Sequence, residues 1–101
     1  MADVFTGSEG ERITSEEAKK MRDDYEETMP EGEVLGLFYG RNLLNSILEQ
    51  EGCMGIRFYL GRNDEGKLEL VLVGADREGK DLDGENQILG NRSYPCPPIC
   101  A

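Results

Sequence analysis

The 101-residue chain contains no histidine. This absence removes the usual general base, the Ser-His and Cys-His nucleophile pairs and the commonest zinc ligand. The sequence also lacks a phosphate-binding glycine loop and a dinucleotide fingerprint. Its carboxylates lie mainly in predicted helix faces and turns, and no apolar pocket is indicated that would separate two carboxyl pKa values. We therefore expect a non-catalytic protein, and a small cysteine-dependent enzyme is kept as an alternative.

Basic charge and long hydrophobic runs are scarce as well. The chain has 21 acidic and 11 basic residues, a net charge of −10, and such a surface repels phosphate backbones, which argues against nucleic-acid binding. No apolar run approaches the roughly 18–20 residues that a membrane span needs. The first residues show no secretory signal, so we expect a cytoplasmic protein whose thiols stay reduced.

The length suits one domain with a single modest core. Residues 1–12 are small, polar and glycine-containing, which predicts a mobile N-terminal segment, and residues 13–101 are expected to form a single α+β domain with a Cys/Pro tail. A capping box at Thr14 predicts a helix that Pro30 ends. A short apolar helix over 41–52 follows. Between the two helices, residues 34–39 suit either a short strand or the start of a helix, and the glycine that follows favours a strand.

The strongest secondary-structure signal is a β-hairpin of about 54–61 and 67–74. Apolar residues alternate along MGIRFYLG and LELVLVG, and the polar connection carries a glycine at position 66. The pattern Gly-x-x-x-Glu-Gly-Lys occurs at 61–67 and again at 74–80, which fits reused turn chemistry and a third strand near 87–89. The predicted fold has two helices packed on one face of a small, mainly antiparallel sheet.

The second face of the predicted hairpin is mixed in character, and it is either partly covered or free to meet a partner. We expect Arg57 to pair with Glu69 across the hairpin, or else to bind an anion or an acidic partner. A sheet of three strands leaves its edges open, and pairing into a homo-oligomer would cover them. The leading hypothesis is a small acidic protein-interaction or self-assembly module. Its candidate interaction residues are Arg57, Tyr59, Val71 and Val73.

Three cysteines offer the alternative chemistry. Cys53 follows the second predicted helix, and Cys96 and Cys100 are four positions apart in the tail. Three thiolates can hold a tetrahedral ion such as Zn²⁺ with a fourth ligand from elsewhere. Two further readings stay open: a disulfide or redox pair, either within the tail or between Cys53 and the tail, and structural thiols without metal. Because Pro97 and Pro98 restrict the tail, we expect it to fold back towards Cys53.

The hairpin and the tail together resemble a group of small, uncharacterised bacterial proteins. The resemblance rests on the run ILEQEGCMGIRFYLGRNDEGKLELVLVGADREGKDL and on the terminal PCPPIC. Its most specific parts are the Gly-Cys-x-Gly-Ile-Arg strand entry at Cys53 and the Pro-Cys-Pro-Pro-x-Cys motif at Cys96 and Cys100. The resemblance covers roughly residues 13–100. It implies that the tail belongs to the domain, and it supplies no activity, cofactor or partner.

Overall fold

The computed structural model describes residues 3–96. Its elements in chain order are α1 (Ser15–Thr28), β1 (Gly36–Phe38), α2 (Arg41–Leu48), β2 (Gly55–Arg62), β3 (Leu68–Ala75), β4 (Leu89–Gly90) and β5 (Tyr94–Cys96). They form an antiparallel three-stranded sheet of order β2-β3-β4 and a separate two-stranded ribbon of β1 and β5. The predicted α+β fold with a small, mainly antiparallel sheet is confirmed, and residues 34–39 contribute the strand β1.

The two hairpin turns are built in the same way. The side chain of Asn63 accepts hydrogen bonds from the backbone N–H groups of Glu65 and Lys67, and Asp76 accepts from those of Glu78 and Lys80. Each turn closes with a glycine at positive φ, at position 66 and at position 79. The sequence echo is therefore reused turn chemistry, and the second turn leads to an isolated bridge between positions 75 and 81. The third strand, β4, follows at Leu89–Gly90.

Helix α2 packs on one face of the sheet, which we call the helix face. The contact depends on two glycines that leave room for the helix. A Cβ on Gly90 would lie 2.7 Å from Cδ2 of Leu43, and a Cβ on Gly74 would lie 3.2 Å from Cγ2 of Ile47. Ile47 and Leu72 are fully buried between the helix and the sheet. The core is therefore small and lies at the β4 end of the helix face.

Helix α1 forms at its predicted place but does not join the core. The side chain of Thr14 accepts a hydrogen bond from the N–H of Glu17, and the carboxylate of Glu17 accepts one from the N–H of Thr14. This pair of hydrogen bonds is the predicted capping box. No residue of the helix is buried, and within residues 3–96 its one hydrogen bond to a residue beyond its two caps runs from the hydroxyl of Tyr25 to the carbonyl of Val34. The prediction placed both helices on the sheet, whereas only α2 lies there. Nine of the fourteen residues of α1 are charged, so its apolar stripe is too narrow to hold it on a sheet.

The first described residues of the tail form β5, which pairs antiparallel with β1; that the tail folds back towards Cys53 stays a prediction. Gly36 pairs with Cys96, and Phe38 pairs with Tyr94. The remainder of the predicted tail, residues 97–101, lies outside the described residues. Within residues 3–96, neither helix has the length and apolar composition needed to cross a membrane. The mobility expected for residues 1–12 stays a prediction, although the N–H groups of Val4 and Phe5 both donate to the carbonyl of Arg77.

Candidate functional site

The outer edge of β2 is the least covered part of the sheet. β2 is an edge strand, because it pairs with β3 alone. The N–H of Asn63 donates to the carbonyl of Lys67, so these two residues form a hydrogen-bonded pair. From there, hydrogen-bonded and non-hydrogen-bonded pairs alternate along the hairpin. Residues 55, 57, 59 and 61 consequently direct their N–H and C=O groups at β3. The backbone groups of Ile56, Phe58 and Leu60 point away from it.

The partners on β3 confirm this alternation. Leu70 lies opposite Leu60, and Gly74 lies opposite Ile56. Leu70 bonds through its backbone to the hydroxyl of Tyr39, and the carbonyl of Gly74 accepts from the N–H of Leu82. Leu70 and Gly74 thus direct their backbone groups away from β2. Each therefore forms a non-hydrogen-bonded pair with the β2 residue opposite it.

The side chains beside this edge are exposed and apolar. Phe58 and Leu60 lie on the helix face, yet they are 51% and 78% exposed. The cause is the length of α2: a helix of eight residues covers only one end of that face. Within residues 3–96, no hydrogen bond reaches the outward N–H and C=O groups of Ile56, Phe58 and Leu60. We call these backbone groups, together with the side chains of Phe58 and Leu60, the open edge.

A cavity of about 500 Å³ adjoins the open edge at its N-terminal end. It is lined by Leu48 and Ile56 on the helix face, by Arg57 on the opposite face, and by Phe5, Gly7 and Glu9 of the N-terminal segment. Since residues of both faces line it, the cavity lies around the outer side of β2. A chain segment that added to this edge would therefore place a side chain in or next to the cavity.

The four residues predicted to form an interaction surface have different surroundings. Arg57 lies opposite Val73 in the register, so the expected pair with Glu69 is wrong; Arg57 instead binds Asp81 and the carbonyl of Gly79. The guanidinium also lies over the ring of Phe5, 5.3 Å from its centroid. Val73 is buried.

Tyr59 and Val71 form a cross-strand pair on that same face. The hydroxyl of Tyr59 donates to Asp81, and this hydrogen bond to a carboxylate raises the pKa of Tyr59 above its usual value. Val71 is half-buried. Of the four predicted residues, the structure brings Arg57 and Tyr59 together on one carboxylate and leaves the valines mainly covered. Asp81 was the partner that the sequence did not indicate.

A second polar cluster lies on the other side of β3. Glu69 is only 9% exposed, and its carboxylate accepts from the hydroxyl of Tyr39 at 2.7 Å and from the N–H of Ser93 at 3.4 Å. Burial alone would raise the pKa of Glu69, but these hydrogen bonds outweigh it and lower the pKa below its usual value. Burial and the neighbouring carboxylate raise the pKa of Tyr39 to about 12.

The role of this cluster is structural. The hydroxyl of Tyr39 accepts from the N–H of Leu70 at 3.1 Å and lies 2.9 Å from its carbonyl, to which Asn91 also donates. These contacts satisfy the edge of β3 where the two-residue strand β4 no longer covers it. Tyr39 was not among the predicted site residues, because an aromatic residue in an apolar run predicts packing and not a hydrogen bond to a strand edge.

Two of the three cysteines, Cys53 and Cys96, lie within the described residues. Cys53 is a free cysteine that is half-buried, and its thiol donates to the carbonyl of Gly55 at 3.2 Å. Its sulfur would lie 2.9 Å from a Cβ on Gly74, so it fills space between α2 and β3. Cys96 is disulfide-bonded, and Cys100 lies outside the described residues. Among residues 3–96, no group of three or more potential ligands is arranged to hold a metal ion.

Comparison with known proteins identifies no relative. No protein-family model, no curated protein and no solved structure matches this chain.

Proposed function

We propose that this chain is a small non-catalytic protein-interaction module that binds an extended protein segment along the open edge. The observation that supports the proposal is the open edge itself. Three alternate residues, Ile56, Phe58 and Leu60, present unpaired backbone groups beside two exposed apolar side chains. An added strand would pair with the backbone groups and cover the side chains, which is the mode of recognition known as β-augmentation.

β2 has few of the features that keep strand edges from pairing. Proteins commonly protect such edges with proline, a bulge or a free charge. The register of β2 with β3 runs without interruption from Gly55 to Arg62, and the strand contains no proline. The charge of Arg57 is directed to the opposite face and is neutralised by Asp81. Phe58 and Leu60 are therefore flanked by a regular edge that accepts a further strand.

The proposal is tested with a photo-crosslinking amino acid placed at position 60. Leu89 provides the matched control, since it is also an exposed leucine of a strand but lies on β4 at the other side of the sheet. We expect position 60 to give one defined adduct with a protein segment and position 89 to give none. The segment found is then synthesised and its binding to the purified chain is measured by calorimetry, with Leu60→Lys expected to weaken binding and Leu89→Lys expected to leave it unchanged. Equal adducts from both positions, or none from either, would remove the proposal.

The thiol site formed by Cys53, Cys96 and Cys100 is the second candidate function. For this thiol site, the disulfide at Cys96 favours a redox role over zinc binding, because a sulfur in a disulfide is not a thiolate ligand. A thiol count on the native protein, before and after reduction, tests this candidate together with elemental analysis. Three freely titrating thiols and no bound zinc in the native protein would eliminate it.

The cytoplasmic location is part of the same proposal. It bears on the disulfide, because cytosolic disulfides are usually transient. Fractionation of cells followed by thiol trapping would report both the location and the state of Cys96. An oxidised Cys96 in a reducing compartment would support the redox candidate, and a fully reduced one would count against it.

A further inference from the structure

We propose that the segment which adds to the open edge is β2 of a second copy of this chain, in antiparallel register centred on Phe58. This inference rests on the proposed function and names its partner. With a two-fold axis through Phe58, a residue of one copy that contacts a given residue of the other is contacted by it in the same way. The same strand therefore forms both sides of the interface. The two sheets would join into one sheet of six strands.

The backbone of β2 fits this register. The outward-pointing residues 56, 58 and 60 are the ones that can form hydrogen-bonded pairs at the new junction. With Phe58 on the axis, Ile56 of one copy lies opposite Leu60 of the other. At each of the three positions, both the N–H and the C=O then form a hydrogen bond with the second copy. No outward group between 56 and 60 stays unpaired.

The side chains on the helix face fit it as well. Residues in cross-strand pairs lie on the same face, about 4.5–5.5 Å apart at Cβ. The two Phe58 side chains would meet at the axis, and Leu60 of the second copy would lie beside Ile56. Leu48, which is 46% exposed, and Ile56 both line the cavity of about 500 Å³. The most exposed side chain of the strand, Leu60, thus reaches the nearest unfilled space of the second copy.

The charges favour a second copy over a charged heterologous segment. In this register Arg57 lies opposite Tyr59 of the second copy, so no two like charges face each other across the new junction. β2 carries no carboxylate, and therefore a basic segment would find no counter-charge along it. An acidic segment would find Arg57 and Arg62 already beside Asp81 and Glu33 of their own chain.

The high negative charge of the chain does not lie at this junction. Helix α1 alone has six carboxylates between Glu16 and Glu27, and it makes few contacts with the sheet. The surface that meets the second copy is limited to one strand edge and one cavity, and small contact surfaces are typical of weak, transient complexes. We therefore infer a reversible dimer whose population rises with protein concentration.

Sedimentation equilibrium over a wide concentration range tests the inference. The unmodified chain is expected to form dimers, and Leu60→Lys is expected to raise the dissociation constant at least tenfold. Leu89→Lys, the matched control, is expected to leave it unchanged. Both substitutions replace exposed side chains, and equal melting temperatures would show that each variant is folded. A chain that stays monomeric at every concentration, or a Leu60→Lys variant that dimerises as well as the unmodified chain, would overturn the inference.

Cysteine crosslinking then tests the register. In a Cys53→Ser background, Phe58→Cys is expected to give a disulfide-linked dimer on mild oxidation with diamide, since paired Cα atoms about 5.5 Å apart are within disulfide reach. Ile56→Cys and Leu60→Cys are expected to crosslink when mixed and not separately. Crosslinking of Leu89→Cys at the same rate would contradict the register.

The two proposals fail in different ways. A monomeric chain with a specific adduct from position 60 to another protein would overturn self-pairing and keep the interaction edge. A dimer that neither protects nor crosslinks β2 would overturn self-pairing, and if position 60 also gives no adduct with any other protein, both proposals would be overturned.

Discussion

Tyr39→Phe is the substitution that most directly tests how the sheet is held at its inner edge. The hydroxyl of Tyr39 donates to Glu69, 2.7 Å away, and accepts from the N–H of Leu70 at 3.1 Å. Removing it leaves that N–H without a partner and leaves the carboxylate with the longer bond from Ser93. The carbonyl of Leu70 keeps a donor, because Asn91 lies 2.9 Å from it.

The magnitude follows from the two groups that lose a partner. An unsatisfied polar group that is kept from water costs about 1–3 kcal/mol; the half-buried N–H of Leu70 loses its partner outright, while the buried carboxylate of Glu69 keeps the bond from Ser93. We therefore expect Tyr39→Phe to lower the free energy of unfolding by roughly 2–4 kcal/mol, out of the roughly 5–15 kcal/mol typical of a domain. For a domain of this size, such a loss lowers the melting temperature by at least about 8 °C.

The assay is urea denaturation followed by circular dichroism, with Tyr25→Phe as the matched control. Tyr25 loses the same hydroxyl, which donates to the carbonyl of Val34 at 3.1 Å, but the residue lies on the exposed helix α1 and is itself 41% exposed. Its substitution is expected to change stability by less than about 0.5 kcal/mol. Equal effects of the two substitutions would refute the assignment of Tyr39 as the group that satisfies the edge of β3.

Three further outcomes are expected. The pKa of Tyr39 is about 12 in the folded chain, above the ordinary tyrosine value of 10.0, so the unfolded chain loses this proton first. Stability measured by urea denaturation is therefore expected to fall as the pH rises from about 10 to about 12, and Tyr39→Phe is expected to remove part of that fall. Gly90→Ala is expected to cost about 1–3 kcal/mol, because its Cβ would overlap Leu43, while Gly84→Ala, whose Cβ meets nothing closer than 3.7 Å, leaves the melting temperature nearly unchanged. Met21→Lys on α1 is expected to alter stability by less than about 0.5 kcal/mol, and a large loss on denaturation would show that α1 packs in solution.

Local chemistry explains the parts of the fold that the sequence predicts well. The capping box at Thr14 and the two turns at Asn63 and Asp76 need only residues within four positions of each other. The alternation along β2 and β3 likewise places Ile56 and Leu72 on one face, since the period of a strand is two. These features could be predicted because neighbouring residues alone determine them.

The parts that the sequence did not predict depend on contacts between distant residues. Alternation assigns Phe58 and Leu60 to the same face as Leu72, but it does not tell that α2 ends before it covers them. Glu69 alternates with apolar residues, as a solvent-facing residue would, yet Tyr39 and Ser93 come from other elements and bury it. The partner of Arg57 depends on the register and on the second turn.

The open edge depends both on the local pattern of the hairpin and on contacts between distant residues. Its outward backbone follows from the hairpin register, and its exposure follows from the short length of α2. Neither the alternation nor the composition separates a covered apolar face from an uncovered one. The candidate interaction surface therefore moves from the face of Val71 and Val73 to the edge formed by Ile56, Phe58 and Leu60.

The central claim is that this edge is free in the single chain and becomes paired on association. Amide hydrogen exchange measured residue by residue by NMR tests it most directly. In dilute protein, the amides of Ile56, Phe58 and Leu60 are expected to exchange much faster than those of Arg57 and Tyr59, and their protection is expected to rise with protein concentration. Protection of the three outward amides that is already complete in dilute protein, or that stays unchanged when the chain associates, would contradict the account.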